Sequence, residues 1–179
     1  DDNTSSTKDI LQFFSNSSDV NDLPGINYPK WRKHLSNLTL SKIVIDGRSY
    51  PSIEHAFQAA KYILENAPSE QFEEGGSIVT ALEAKSAGGK RGMAKAGVNL
   101  DLKKWSAVSN DIMRKALNYR FTHDDMFRNI LLATKGKTLL HFERSGIKSI
   151  WGGNISKKSG LPVGKNLLGK MMMDILDSS

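Results

Sequence analysis

Apolar residues recur at helical spacing in five separate stretches of this chain, whereas only two short runs carry β-strand character. That imbalance predicts an α+β fold, a helix-rich single domain with a few short strands. Ser52 is a good N-cap, and Ile53, Ala56, Phe57, Ala60 and Leu64 follow on one stripe. This helix must stop near Asn66, because Pro68 disfavours helical geometry just before it. A second helix begins with Ile78, Ala81 and Leu82 and closes at Gly88-Gly89. Trp105, Val108, Ile112, Ala116 and Leu117 mark a third. Thr122 with Asp125 predicts a capping box opening a fourth, which carries Phe127, Ile130, Leu131 and Thr134. Leu167, Leu168, Met171, Met172 and Ile175 mark the last. Ile43–Ile45 before Asp46-Gly47 predicts a strand and hairpin, and Thr138–Phe142 a second strand closed by Gly146. Ile10–Lys30 reads as turns around the Phe13-Phe14 anchor. Two Gly/Lys-rich loops are expected, Ser86–Asn99 and Gly152–Lys165. Residues 1–9 read as a loose segment, and 10–179 as one domain.

Composition narrows the chemistry. A 179-residue chain can bury roughly 70% of its unfolded surface. With 39% hydrophobic and 25% charged residues it is globular in type. No apolar run approaches the roughly 20 residues a bilayer span needs, so no membrane partner is expected. The opening Asp1–Ser6 lacks an initiator Met and the basic and apolar regions of a signal peptide, so the chain reads as a cut fragment. Zero Cys removes thiolate nucleophiles, disulfides and Cys-based zinc sites. It also fits a reducing, intracellular compartment, cytoplasmic or nuclear. The net charge of +6 suits a polyanionic ligand such as a phosphate or nucleic acid.

Several motif classes are missing. His34, His55, His123 and His141 are scattered without metal-ligand spacing, so no metal or cofactor is expected. Gly160–Asn166 resembles a phosphate loop but is one residue short, and Asn166 stands where a magnesium-binding hydroxyl belongs. The first helix is more informative. Glu54, Gln58 and Lys61 lie four and three residues apart and project from one face, away from the Phe57 stripe. A carboxyl can move a proton, an amide can fix a hydroxyl, and an amine can hold phosphate or attack a carbonyl carbon. The plain alternative is a solvated helix face, with Glu54 placed to favour the helix dipole. Trp105 follows Lys103-Lys104, where it can pack in the core or stack on a base. Lys85, Lys90, Arg91 and Lys95 form a flexible basic loop, serving solubility or contacting a pyrophosphate. Trp151-Gly152-Gly153-Asn154 pairs an aromatic face with bare backbone, either a tight turn or a close ligand approach.

Five segments stand in a recognisable order: Leu35-Ser36-Asn37, Glu54-His55-Ala56-Phe57-Gln58-Ala59-Ala60-Lys61, Trp105 before a Met-containing helix, Trp151-Gly152, and Gly164-Lys165-Asn166-Leu167-Leu168-Gly169. Together, over roughly Phe13 to Leu176, they resemble the NADAR (YbiA-like) family. That family resembles a set of N-glycosidases acting on ribose-linked amines. One branch cleaves phosphoribosyl intermediates of riboflavin synthesis, and another removes ADP-ribose from guanine in nucleic acid. The resemblance implies Glu54 and Lys61 as catalytic residues. It implies Gln58, Trp105 and Asn166 as substrate contacts, with the Trp151-Gly152 turn beside them; Ser36, Asn37, Gly153 and Asn154 are expected to contact substrate as well.

The branch is read from departures. The riboflavin-related branch often carries an acidic residue after Trp-Gly, where this chain has Gly153, and Leu176 replaces an Arg common near the end of the last helix. Trp31-Arg32-Lys33 looks like the guanine branch. The expected activity is therefore release of ADP-ribose from guanine in DNA or RNA, with Arg32, Lys33, Lys85 and Arg91 on phosphates. The expected partners are ADP-ribosylated nucleic acid and the ADP-ribose product, bound by a monomer. The alternatives are the riboflavin-intermediate N-glycosidase and a non-catalytic ADP-ribose-binding module.

Overall fold

A computed structural model describes residues 10–143 and 149–179. The expectations for residues 1–9 and for Gly146 lie outside the described residues. In chain order the elements are β1 (Ile10–Phe13), α1 (Trp31–His34), β2 (Ile43–Ile45), β3 (Arg48–Tyr50), α2 (Ile53–Leu64), a 3-10 turn (Glu70–Phe72), α3 (Ala81–Ala87), α4 (Lys90–Lys95), α5 (Leu102–His123), α6 (Asp125–Ala133), β4 (Thr138–His141), β5 (Asn154–Ile155), β6 (Pro162–Val163) and α7 (Leu167–Asp177). The fold is α+β, helix-rich, with short strands. These elements group into two compact units, one continuous over Asn37–Asp124 and one built from chain on either side of it.

In the continuous unit, β2 and β3 form an antiparallel hairpin with Ile43 opposite Tyr50. Asp46 and Gly47 both have positive φ, 51° and 78°, which matches the right-handed twist of the strands they join. Helix α2 packs on α5 and α3, burying Ile53, Ala56, Phe57, Ala59 and Tyr62. Its start is fixed twice. Ser52 Oγ accepts the His55 amide N–H at 3.1 Å, and the Asn37 carbonyl accepts the Glu54 N–H at 3.1 Å. His55 is fully buried, its Nδ1 2.7 Å from Ser52 Oγ and its Nε2 3.1 Å from the Ile78 carbonyl. A carbonyl only accepts, so Nε2 carries the proton and Nδ1 accepts from Ser52. Burial lowers the ring's pKa in keeping with that neutral form.

Three expectations need correction in this unit. Helix α3 starts at Ala81, because Thr80 and Glu83 form the capping box, while the Ile78 N–H bonds back to the Gln71 carbonyl. The stretch Ser86–Asn99 is no flexible loop. Lys85 lies on α3, and Lys90, Arg91 and Lys95 on α4, a short helix anchored by Met93 at 4% exposure. Thr122 opens no helix, since its Oγ1 donates to the Asn118 carbonyl inside α5. Near the end of α5, Arg120 is fully buried, with Nε 3.3 Å from Asp124 Oδ2, and the Ser41 hydroxyl donates to the same oxygen at 2.8 Å.

In the discontinuous unit, β1 pairs with β4 in parallel, from Ile10 opposite Thr138 to Phe13 opposite His141. The stretch expected to be turns therefore begins with a strand, whose apolar run is too short to show alternation. Trp31–His34 adds a helical turn, and β5 pairs with β6 within the expected Gly152–Lys165 loop. The second predicted strand ends at His141, one residue early, with Phe142 bridging to Gly153. Helix α7 packs on β4 and α6, burying Leu168, Met171, Met172 and Leu176.

Candidate active site

One helix face gathers the chemistry. On α2, Gln58 Nε2 donates to Glu54 Oε1 at 2.8 Å, a four-residue contact along the helix. Lys61, three residues further, donates from Nζ to the Gly88 carbonyl at 2.8 Å. Tyr62 OH does the same to the Ala87 carbonyl at 2.8 Å. These carbonyls belong to the C-terminal end of α3, where a cation satisfies orphan acceptors and the helix dipole together. The face is therefore covered by α3 and is not the solvated surface that its charge pattern allows. Gln58 is 6% exposed.

Gly88 explains how the two helices come this close. A Cβ at that position would overlap the Gln58 amide and lie 2.7 Å from Gln58 Cβ. Gln58 Oε1, on that side, is buried without a hydrogen-bond partner. The fourth wall is aromatic. Phe57 and Trp105 meet edge to face with centroids 5.0 Å apart, and Lys61 Nζ lies 5.9 and 5.6 Å from the two rings. Phe57 is buried and Trp105 partly exposed.

The environment moves the two ionisable groups in opposite directions. Burial pushes the Glu54 carboxyl above its ordinary pKa, against the opposing pull of the Gln58 hydrogen bond and the Lys85 and Lys61 charges. Burial pushes the Lys61 ammonium below its ordinary value, opposed by Glu54. A carboxyl that keeps its proton longer and an amine that loses its proton sooner are each displaced toward neutral pH, where proton transfer and amine attack become feasible.

Lys85 and Arg91 are exposed on α3 and α4. Asn37 lies in the same unit, its Nδ2 3.5 Å from Met113 Sδ and its Oδ1 buried without a partner. The remaining candidates sit in the discontinuous unit. Arg32 is held at 2.8 Å through both terminal nitrogens by Asp22, which also accepts from Trp31 Nε1 at 2.9 Å. That guanidinium is the main reason the Asp22 pKa falls below its ordinary value. Lys33 pairs with Asp19 at 2.9 Å, and Ser36 is buried. Asn166 initiates α7 in the left-handed region, with φ 47°. Its Oδ1 accepts from His141 N at 2.9 Å, and its Nδ2 donates to the Leu139 carbonyl at 2.8 Å. The carbonyls of Ile150, Trp151 and Gly152 accept the N–H groups of Leu167, Leu168 and Asn166. The Trp151–Gly152 turn thus caps the start of α7, while Asn154 Nδ2 donates to the Glu143 carbonyl at 3.1 Å and Gly153 N to the His141 carbonyl at 2.9 Å.

Two contacts of candidate residues went unnoticed in the sequence. Gly88 looked only like a helix stop, and its partner Gln58 is thirty residues away. Glu143 packs its carboxylate against Gly152, where a Cβ would collide with it, and accepts from Ser149 Oγ at 2.7 Å. A single acidic residue after a strand carries no signal that could have found it.

Fold and site together define an α+β protein built around a carboxyl–amide–amine helix. The chain belongs to the NADAR family: the NADAR domain matches residues 13–178. It is 30% identical over 166 residues to N-glycosidase YbiA of Escherichia coli (strain K12), covering 93% of this chain and 86% of that protein. The N-glycosidase YbiA of Shigella boydii serotype 4 (strain Sb227) is likewise 30% identical over 169 residues, with the same coverage. An NMR structure of the E. coli protein YbiA is similar in fold, with a TM-score of 0.66 at 28% identity, covering 94% of this chain and 83% of that one. Among the described residues no helix is long and apolar enough to cross a membrane.

Proposed function

We propose that this protein is an N-glycosidase that releases ADP-ribose from guanine bases in nucleic acid. The N-glycosidase relatives support the class of bond. The ADP-ribosyl-guanine substrate is our own inference, supported by the net charge of +6 and the exposed Lys85 and Arg91. The single observation that carries it is the arrangement on α2 of the Glu54 carboxyl, held by Gln58, and the Lys61 amine, 5.6 Å from the Trp105 ring.

The bond to be broken joins ribose C1″ to the exocyclic amine of guanine. In one route the protonated Glu54 carboxyl gives its proton to the departing nitrogen, which keeps the bonding electrons. Positive charge is then shared by C1″ and the ring oxygen. Water adds to C1″ and returns a proton to the Glu54 carboxylate, releasing ADP-ribose and guanine. In the other, the ribose opens to an imine between C1″ and the guanine nitrogen. The neutral Lys61 amine adds to C1″, the guanine amine leaves with a proton, and the Lys61 imine is hydrolysed. Gln58 holds Glu54 in either case, and Trp105 offers a face for the substrate.

The test is incubation with ADP-ribosylated guanine DNA and, separately, with a phosphoribosylated amine, following release by mass spectrometry. Release of ADP-ribose from the DNA is expected. Turnover of the phosphoribosylated amine alone would overturn the substrate in favour of a small-molecule N-glycosidase. Tight ADP-ribose binding with no turnover of either would leave a binding module.

A further inference from the structure

Nearly all of the chain's excess charge lies in one stretch. Between Lys85 and Lys104 stand six cations, Lys85, Lys90, Arg91, Lys95, Lys103 and Lys104, against one acid, Asp101, in a protein whose net charge is +6. All six are exposed. Among the described residues none of the six takes part in an ion pair, although Arg32, Lys33, Lys42, Arg120 and Arg128 do. Among the described residues Asp101 forms no ion pair with its neighbours; its carboxylate accepts the backbone N–H groups of Lys103 and Lys104 at 3.0 and 3.2 Å as the α5 N-cap.

The arrangement works against local stability. Arg91 and Lys95 stand four residues apart on α4, a like-charge pair that weakens a helix. Lys103 and Lys104 lie in the first turn of α5, the positive end of its dipole. The Arg91–Lys95 pair and the cations at the start of α5 are what a polyanion would stabilise.

Lys61 fixes where this charge lies relative to the site. Its Nζ touches the Gly88 carbonyl, between Lys85 and Lys90, and lies 5.6 Å from the ring of Trp105, which follows Lys104. Both cationic groups thus lie on segments that reach the same amine, one through Gly88 and the other through the partly exposed Trp105.

We propose that Lys85, Lys90, Arg91, Lys95, Lys103 and Lys104 form a docking ridge for the phosphodiester backbone of a single-stranded nucleic acid, with one base stacked near Trp105. This rests on the nucleic-acid substrate proposed above and adds how the strand is held. A single strand fits because the reactive groups are recessed under α3, and a base inside a duplex cannot reach them without being extruded. Cations along a groove with an aromatic platform are the usual means of holding a strand without reading its sequence.

The experiment measures binding of an unmodified fluorescent single strand of about 12 nucleotides, within the usual range of site sizes, by anisotropy across salt concentrations. Full engagement of the six cations gives a log–log salt slope of about −4, falling to about −2 in a Lys90→Gln/Lys95→Gln/Lys104→Gln variant. The variant should bind at least about tenfold more weakly at low salt, with a melting temperature no lower than that of the wild type. Equal affinity and slope in the two proteins overturn the ridge, whatever the enzyme does to modified DNA. Equally tight binding of the matched duplex overturns the single-strand assignment. Cation-dependent binding to vesicles of anionic lipid with none to the oligonucleotide overturns it as well. ADP-ribose release from modified DNA is scored separately on the wild type. If release fails while strand binding depends on these lysines, the ridge stands and the proposed reaction falls.

Discussion

Gln58 donates to Glu54 at 2.8 Å while its own carbonyl oxygen faces Gly88 without a hydrogen-bond partner. A buried amide satisfied on one side only costs free energy, and such groups gather at functional sites. The donated bond holds Glu54 in place and favours its charged form, while burial favours the neutral one. The carboxyl is oriented without being fixed in one protonation state, as a group that gives and takes a proton must be.

Replacing that carboxyl separates chemistry from folding. Glu54→Gln should slow turnover by roughly 10²–10⁴-fold, the span of a general acid–base contribution. Because the folded-state pKa is raised, the folded protein binds more protons than the unfolded chain above the ordinary value of 4.5. Wild-type stability should then fall relative to Glu54→Gln as pH rises through that value and up to the folded pKa. Thermal melts of both proteins between pH 4 and 7 check this, and a difference independent of pH contradicts it.

The amine makes a second prediction. If Lys61 forms an imine, borohydride added during turnover traps an ADP-ribose adduct that maps to it. Lys61→Arg should lose both trap and activity. The rate should rise with pH, with an inflection below the ordinary lysine value of 10.5. Full activity in Lys61→Arg with no trapped mass would exclude the covalent route and leave Glu54 with water.

Gly88→Ala tests the helix contact. The added methyl collides with Gln58, so α2 and α3 must separate or the amide must turn away. Overpacking of this kind costs about 1–3 kcal/mol. Urea unfolding should register that loss, and turnover should fall because Glu54 loses its donor. Unchanged stability with unchanged rate would mean the contact is not formed.

Arg120→Ala probes the far end of α5. The guanidinium is fully buried, its pKa lowered by burial to about 10, and its Nε lies 3.3 Å from the Asp124 carboxylate. Asp124 is 18% exposed and keeps the Ser41 hydroxyl, so the loss should approach but not exceed the roughly 3–5 kcal/mol of a fully buried pair. Calorimetry reads this directly, and a loss under about 1 kcal/mol would mean water replaces the arginine.

Helix α2 was legible because Ser52, Pro68 and the Ile53–Leu64 stripe set its start, end and inner face independently of any neighbour. The strand β4 was legible for its apolar run, but its partner β1 was not. Four residues paired in parallel to a segment far along the chain leave no local trace. The same limit hid α4. Its glycines suggest a loop, and only the burial of Met93 shows that one turn of helix is anchored there. At the site, spacing put Glu54, Gln58 and Lys61 on one face, whereas the lid over that face depends on Gly88 and on carbonyls that every residue carries.

The parallel pairing of β1 with β4 also has a consequence in time. Phe13 leaves the ribosome about 125 residues before His141, which at about 5–20 residues per second leaves β1 waiting roughly 6–25 s for its partner. The whole of the continuous segment Asn37–Asp124, which carries Glu54 and Lys61, is made in that interval. Until then the nascent chain carries the apolar strand β1 unpaired, and that strand is where a chaperone would find its grip.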